Sequence, residues 1–228
     1  MIQLRDFISA PIPEIFEAAR LLDLAVNAHF EGDRVRAANL IREADMDAIG
    51  KWLDPIWLRR SEATKAIRVA NLPPEIPRER RYKPRNAPTQ MKRELIARDG
   101  HHCRYCGIPL VRVEVRQELN TLYPSEARWI SRKEYDQHRG LQVMWLQYDH
   151  IQVHSRGGKT TLDNLVVSCV ACNYGRDKYT LEEMRISHPV TNIRLPTWDG
   201  RHTWTGLERI LSESRRCVQA LESRFGPR

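Results

Sequence analysis

The chain has 228 residues, 41% of them hydrophobic, enough for one large or two small domains with a real core. It has no window of about 18 uncharged apolar residues, and its opening MIQLRDFISAPIPE lacks the basic and apolar regions of a signal peptide, so a membrane protein is excluded and a soluble, cytoplasmic one is expected. The net charge of +8 is uneven: residues 1–70 hold 10 Lys+Arg against 11 Asp+Glu, leaving 27 against 18 for residues 71–228, which suggests a polyanionic partner for that part.

Residues 14–30 place Ile15, Ala18, Ala19, Leu22, Val26 and Phe30 at helical spacing. A second helix is predicted from the cap Asp33 to about Ile49, ended by Gly50, and a third from about Trp57 to Val69 after the break at Pro55. Together these give a helical N-terminal module over residues 1–70, suited to docking a protein partner; His29 beside its apolar face reads as structural. Over residues 71–88, five prolines alternate with Arg78, Arg80, Arg81, Lys83 and Arg85. Proline denies this stretch a helix, so it reads as a semi-rigid linker, either solvated or tracking a phosphate backbone.

Thr89 can cap a helix through Arg98, and the Asp99-Gly100 turn leads into HHCRYCG. The alternation in Val111–Val115 predicts a strand and the apolar run Leu141–Tyr148 a second one, with a short helix around Ser131–His138 between them and His138 exposed. Thr180-Leu-Glu-Glu fits a capping box, Trp198-Asp199-Gly200 a loop, and Thr205–Phe225 a last amphipathic helix whose apolar rhythm contains Cys217 as a small core residue.

Five cysteines in a chain of this kind argue against a disulfide framework, and four of them form two Cys-x-x-Cys pairs. Zinc takes four thiolates in a tetrahedron, and Cys103, Cys106, Cys169 and Cys172 would make a closed structural Zn²⁺ site joining segments 62 residues apart. His101 and His102 are then neighbours rather than ligands. Between the pairs, His150 offers a base of near-neutral pKa, and Asp149 and Asn173 offer hard oxygens for Mg²⁺ or Mn²⁺, the set needed to deliver water to a phosphodiester.

The stretches DHIQVHSRGG, DNLVVSC and CNYGRDK, preceded by RDGHHCRYCG, resemble the HNH endonuclease family in its four-cysteine subgroup. The resemblance covers about Thr89 to Thr180 and implies an α+β chain with a β-hairpin and a helix clasping a metal, the ββα-metal fold; the residue pattern beyond it gives a C-terminal loop and helix over residues 189–228. It implies His150 as general base, Asn164 as the residue bracing the hairpin loop, Asn173 as the third motif position and Asp149 as the metal-ligand carboxylate. Arg156, Arg176 and Lys178 are candidate phosphate partners, while His154 reads as a metal or phosphate contact or as a loop residue. Two departures stand out: Val153 occupies a position where many members have proline, and the 42 residues between Cys106 and Asp149 point to an insertion at about 111–145 within a nuclease domain spanning 89–188. The expected activity is metal-dependent hydrolysis of DNA, with two copies joining where both strands are cut. The alternative is a zinc-ribbon module that binds nucleic acid without cutting it.

Overall fold

The computed structural model describes residues 4–5, 8–129, 136–191 and 204–212. Helix α1 (Pro13–Phe30) opens on Pro13, whose missing N–H is no loss at a helix start, and buries Ile15, Ala18, Ala19, Leu22 and Val26. Helix α2 (Arg34–Glu43) is capped by the Asp33 carboxylate, which accepts from the Arg36 N–H at 2.9 Å. It stops at Glu43 and does not run to Ile49 as the sequence predicts, because the Asp45 carboxylate turns away to accept from Arg139 N (2.7 Å) and from Arg128. A separate helix α3 (Asp47–Trp57) follows, with Gly50 buried inside it and Pro55 near its end. The helix predicted over 57–69 gives way to a single 3-10 turn, Glu62–Thr64: the Pro55 carbonyl takes the N–H groups of Arg60 and Ser61, Arg59 adopts φ 56°, and Ser61 caps the turn.

Helix α4 (Thr89–Asp99) ends where the Asp99 side chain, 2% exposed, accepts from Val167 N at 3.1 Å. Beyond it the first Cys-x-x-Cys folds into a knuckle closed by Gly107 N donating to Cys103 O (2.8 Å) and Cys103 N to Ile108 O (2.9 Å). The predicted strand at 111–115 is a correction: only Val111 pairs, alongside Trp145, and helix α5 (Val113–Leu122) takes over. Val111, Val115 and Leu119 all lie buried at helical spacing, so a five-residue alternation and a helical stripe share the same positions. In the same way the run at 141–148 splits into helix α6 (Arg139–Val143) and strand β1 (Gln147–His150); a short apolar run suits a buried helix as well as a strand.

Strand β1 pairs antiparallel with β2 (Leu165–Ser168), Asp149 opposite Val166 and His150 opposite Leu165. Helix α7 (Val170–Arg176) follows at once and completes a ββα unit, and α8 (Leu181–Met184) starts with the Thr180–Glu183 capping box. The chain is α+β. One continuous apolar core runs from Ile8 to Ile210, in which α1 packs on α6 and α3 packs on both α6 and α7. The helix expected around 131–138 falls largely outside the described residues, as does the 198–200 turn; the helix expected over 205–225 opens instead as a turn with Leu207 at φ 59° and the 3-10 turn Glu208–Ile210, Leu207 and Ile210 both buried, and beyond residue 212 it too lies outside them, with Cys217. Among the described residues no helix is long and apolar enough to cross a membrane.

His138 is buried, not exposed. Its Nδ1 accepts from Leu141 N (3.1 Å), so Nε2 carries the hydrogen and donates to Ile41 O (2.8 Å), tying α6 to α2. Burial lowers its pKa and keeps the ring neutral. An imidazole with a lowered folded pKa gives its full stability above the unfolded value of about 6.5 and loses it as pH falls below that value. Denaturant melts are therefore expected to show stability falling on acidification from pH ~6.5, and His138→Gln, which cannot take up the proton, to flatten that fall by up to about 1.4 kcal/mol per pH unit.

Candidate active site

The four cysteines of the two knuckles converge. Their sulfurs lie within 4.8 Å of one another, all buried, with Cys106 Sγ 3.6 Å from Cys169 Sγ. A tetrahedron of ~2.3 Å zinc–sulfur bonds has edges of about 3.8 Å, so the donor set fits a structural zinc and is far too wide for disulfides. The Cys103 thiol carries the mark of that convergence: burial pushes its pKa up, yet the thiols of Cys106, Cys169 and Cys172 around it pull it well below the usual range. Cys169 also caps α7, its sulfur accepting from Cys172 N at 3.4 Å, and Arg104 N donates to Val167 O (3.1 Å), laying the first knuckle along the free edge of β2.

Helix α7 presents Cys169, Cys172, Asn173 and Arg176 on one face, at i, i+3, i+4 and i+7. Strand β1 presents Gln147 and Asp149, two apart, toward that face. Asn173 Nδ2 donates to Gln147 Oε1 (3.4 Å), which leaves its amide oxygen open. Arg176 meets Asp149 as a buried pair, with side chains 2% and 7% exposed: Nη2 lies 2.6 and 2.7 Å from the two carboxylate oxygens, and Nε adds a bond of 3.2 Å. Tyr105, inside the first knuckle, donates its hydroxyl to the same carboxylate at 2.8 Å. Burial alone would lower the arginine's pKa; the carboxylate more than offsets that and holds it above its ordinary value.

Two of the candidate residues are engaged inside the fold. Arg176, expected on nucleic acid, is 1% exposed and serves the fold. Asp149, expected on a cation, has both oxygens occupied, because it is buried and the nearest cation is the guanidinium one turn beyond Asn173. Arg156 is similarly committed: its guanidinium donates to Pro73 O (3.0 Å) and Glu183 Oε1 (3.1 Å), clasping the 71–88 segment to α8. Lys178 pairs with Glu75 at 2.7 Å on the surface.

The imidazole of His150 lies on the other face of β1. Its Nε2 is 3.1 Å from Thr160 Oγ1, and that hydroxyl donates its single hydrogen to Arg85 O, also at 3.1 Å. Thr160 therefore accepts from His150 Nε2–H, and Nδ1 keeps the lone pair. Burial first, then the charges of His154, Arg85 and Arg176, lower its pKa to about 4, so at neutral pH the ring is an unprotonated base. His154 stands beside it, ring centroids 5.3 Å apart, and Nε2 donates to Tyr82 O at 2.8 Å.

Asn164 holds the loop that follows His150 and carries His154. Its Oδ1 accepts from Gln152 N (2.8 Å), while Nδ2 donates to Lys159 O (2.8 Å) and Gln152 O (3.2 Å). Gly157 turns the loop at φ 88°, and a Cβ on Gly158 would sit 1.8 Å from Gln152 O, so the pair cannot be replaced by residues with side chains without moving the loop. Val153 has φ −56°, the angle a proline ring enforces, which explains how valine serves at that position.

Residues 136–177 match the family model for HNH endonuclease. The match takes in 42 of the 228 residues, and that stretch is similar to an HNH domain. Neither a curated protein nor a solved structure matches the chain. The match supports a nuclease type of function in general, and the four-cysteine cluster, two of whose thiols lie within the matched stretch, can hold zinc. Sequence reasoning missed Thr160, Tyr105 and Gln147, which hold His150, Asp149 and Asn173. Tyr105 sits within the CRYC motif, but nothing in its spacing marks it as a carboxylate partner.

The Asp149–Arg176 pair gives the ββα unit a direct test. Arg176→Ala leaves a buried carboxylate uncompensated and three backbone carbonyls without their donor, and is expected to cost about 3–5 kcal/mol in denaturant unfolding, whereas adding Asp149→Asn, which removes the buried charge, recovers part of it. Equal destabilisation by the single and double variants would count against the pair as the source.

Proposed function

We propose that the protein is a metal-dependent endonuclease that hydrolyses DNA phosphodiesters, with His150 as general base. The observation that carries the reading is the state of His150: neutral at physiological pH, with Nε2 fixed by Thr160 and the lone pair on Nδ1. A base of this kind takes a proton from water as that water attacks phosphorus. Asn164 acts at a distance by holding the loop, and His154 lies close enough to shape the approach to the imidazole.

A divalent cation such as Mg²⁺ or Mn²⁺ would stabilise charge on the phosphate and on the departing oxygen. The donor set fits it in part. Asn173 offers an open amide oxygen, and Asp149 could join only by exchanging Arg176 for the cation. Zinc in the cysteine cluster would serve folding, since four thiolates leave no open position for water.

One observation favours the rival reading of a binder that does not cut: the Asp149 carboxylate is already neutralised. Cleavage separates the two. Purified protein with Mg²⁺ or Mn²⁺ is expected to nick or linearise plasmid. His150→Ala should abolish this, by a factor of roughly 10² or more, while elemental analysis still finds about one zinc per chain. Undiminished cutting by that variant would remove His150 from the chemistry, and binding without any cutting by the wild type would support the rival.

A further inference from the structure

The 71–88 segment is seated on the 151–164 loop, which follows His150 and carries His154. Its main chain is held at three points: Ile76 N donates to Ser155 O (2.7 Å), Tyr82 O accepts from His154 Nε2 (2.8 Å) and Arg85 O accepts from Thr160 Oγ1 (3.1 Å). Arg156 and Lys178 clamp its start through Pro73 O and Glu75. Those contacts use backbone groups of the strap, while Arg78, Arg80, Lys83 and Arg85 are all exposed and enter no ion pair among the described residues; the Arg81 side chain turns back to Ile76 O at 2.8 Å. Arg85 is one hydroxyl removed from the imidazole of His150, the two joined through Thr160.

We propose that this strap is a phosphate-backbone arm for duplex DNA, with Arg78, Arg80, Lys83 and Arg85 contacting successive phosphates beside His150. Four cations on a path fixed by backbone hydrogen bonds keep a set position relative to the proposed base, which a free linker could not do. Ordering the strap has already been done in folding, so its entropy is not lost again on binding. Only Glu79 opposes the four, since Glu75 is neutralised by Lys178. Contacts to phosphates orient a duplex without reading its bases, so the arm would supply affinity and register and no sequence preference.

The inference rests on the reading of the site as one that takes DNA, yet its test is independent of cutting. Binding of a labelled DNA duplex is followed by fluorescence anisotropy over a series of salt concentrations without divalent cation, using the full chain with His150→Ala. Replacing Arg78, Arg80, Lys83 and Arg85 together by alanine is compared with replacing Arg20, Arg36, Lys51 and Arg68, exposed cations of the first 70 residues, which changes net charge equally. The slope of log affinity against log salt is expected to fall by about three to four for the strap variant, at ~0.9 for each phosphate no longer neutralised, and to change little for the control. Matching slopes and affinities for the two variants would overturn the arm, and tighter strap-dependent binding of duplex RNA would overturn the assignment to DNA. Thermal melting and zinc content confirm that each variant is folded. Wild-type cutting alongside a neutral strap variant would leave the nuclease standing without the arm; a strap-dependent slope in a protein that does not cut would leave the arm without the nuclease.

Discussion

The buried contact between Arg176 and Asp149 is what the ββα unit depends on. Neither charge could stay in that place alone, since removing an ion from water costs several kcal/mol even after relaxation. The pair is viable because the guanidinium spends its remaining hydrogens on His150 O, Ile151 O and Tyr179 O, and the carboxylate accepts from Tyr105. Through those bonds one arginine fixes the end of β1, the chain leaving it and the chain leaving α7. Helix α7 is thus fastened at both ends, by two cysteine sulfurs at its start and by Arg176 at its finish. Asn173 lies between the fastenings, so its amide is placed by anchors that do not themselves react.

From that scaffold the arrangement passes outward in steps. The hairpin fixes where the 151–164 loop begins and ends. Asn164 and the close approach at Gly158 fix the loop's shape, and Thr160 then fixes the imidazole. The 71–88 strap lies over the result, bonding to backbone and side chains of the loop. The loop and the imidazole are held by hydrogen bonds to neutral partners, and ion pairs hold α7 to β1 and the start of the strap to the chain after α7.

What could be read from the sequence was local in origin. The two Cys-x-x-Cys pairs, the Asp-His step, the Gly-Gly turn and the CN sequence each encode a turn, a metal knuckle or a strand end within a few residues, so the ββα unit and the cysteine cluster were legible. Burial depends on what the rest of the chain packs against, and there the reading failed. Arg176 and Arg156 look like any surface arginine until Asp149 and Glu183 are brought to them, and His138 looks exposed until Ile41 covers it. Short segments failed for a different reason: Val111–Val115 satisfies the pattern of a strand and of a helix face alike, and only the pairing of Val111 beside Trp145 decides where one ends and the other starts. The end of α2 was set by Asp45 answering a backbone N–H 94 residues away, which no window of local pattern contains.

A strap fastened through its carbonyls and amides constrains the route of the chain and little about the chemistry it displays. Swapping one exposed side chain for another leaves those backbone bonds in place, so the loop beneath keeps its shape. What the strap displays and how it is held are in that sense assigned to different atoms of the same residues.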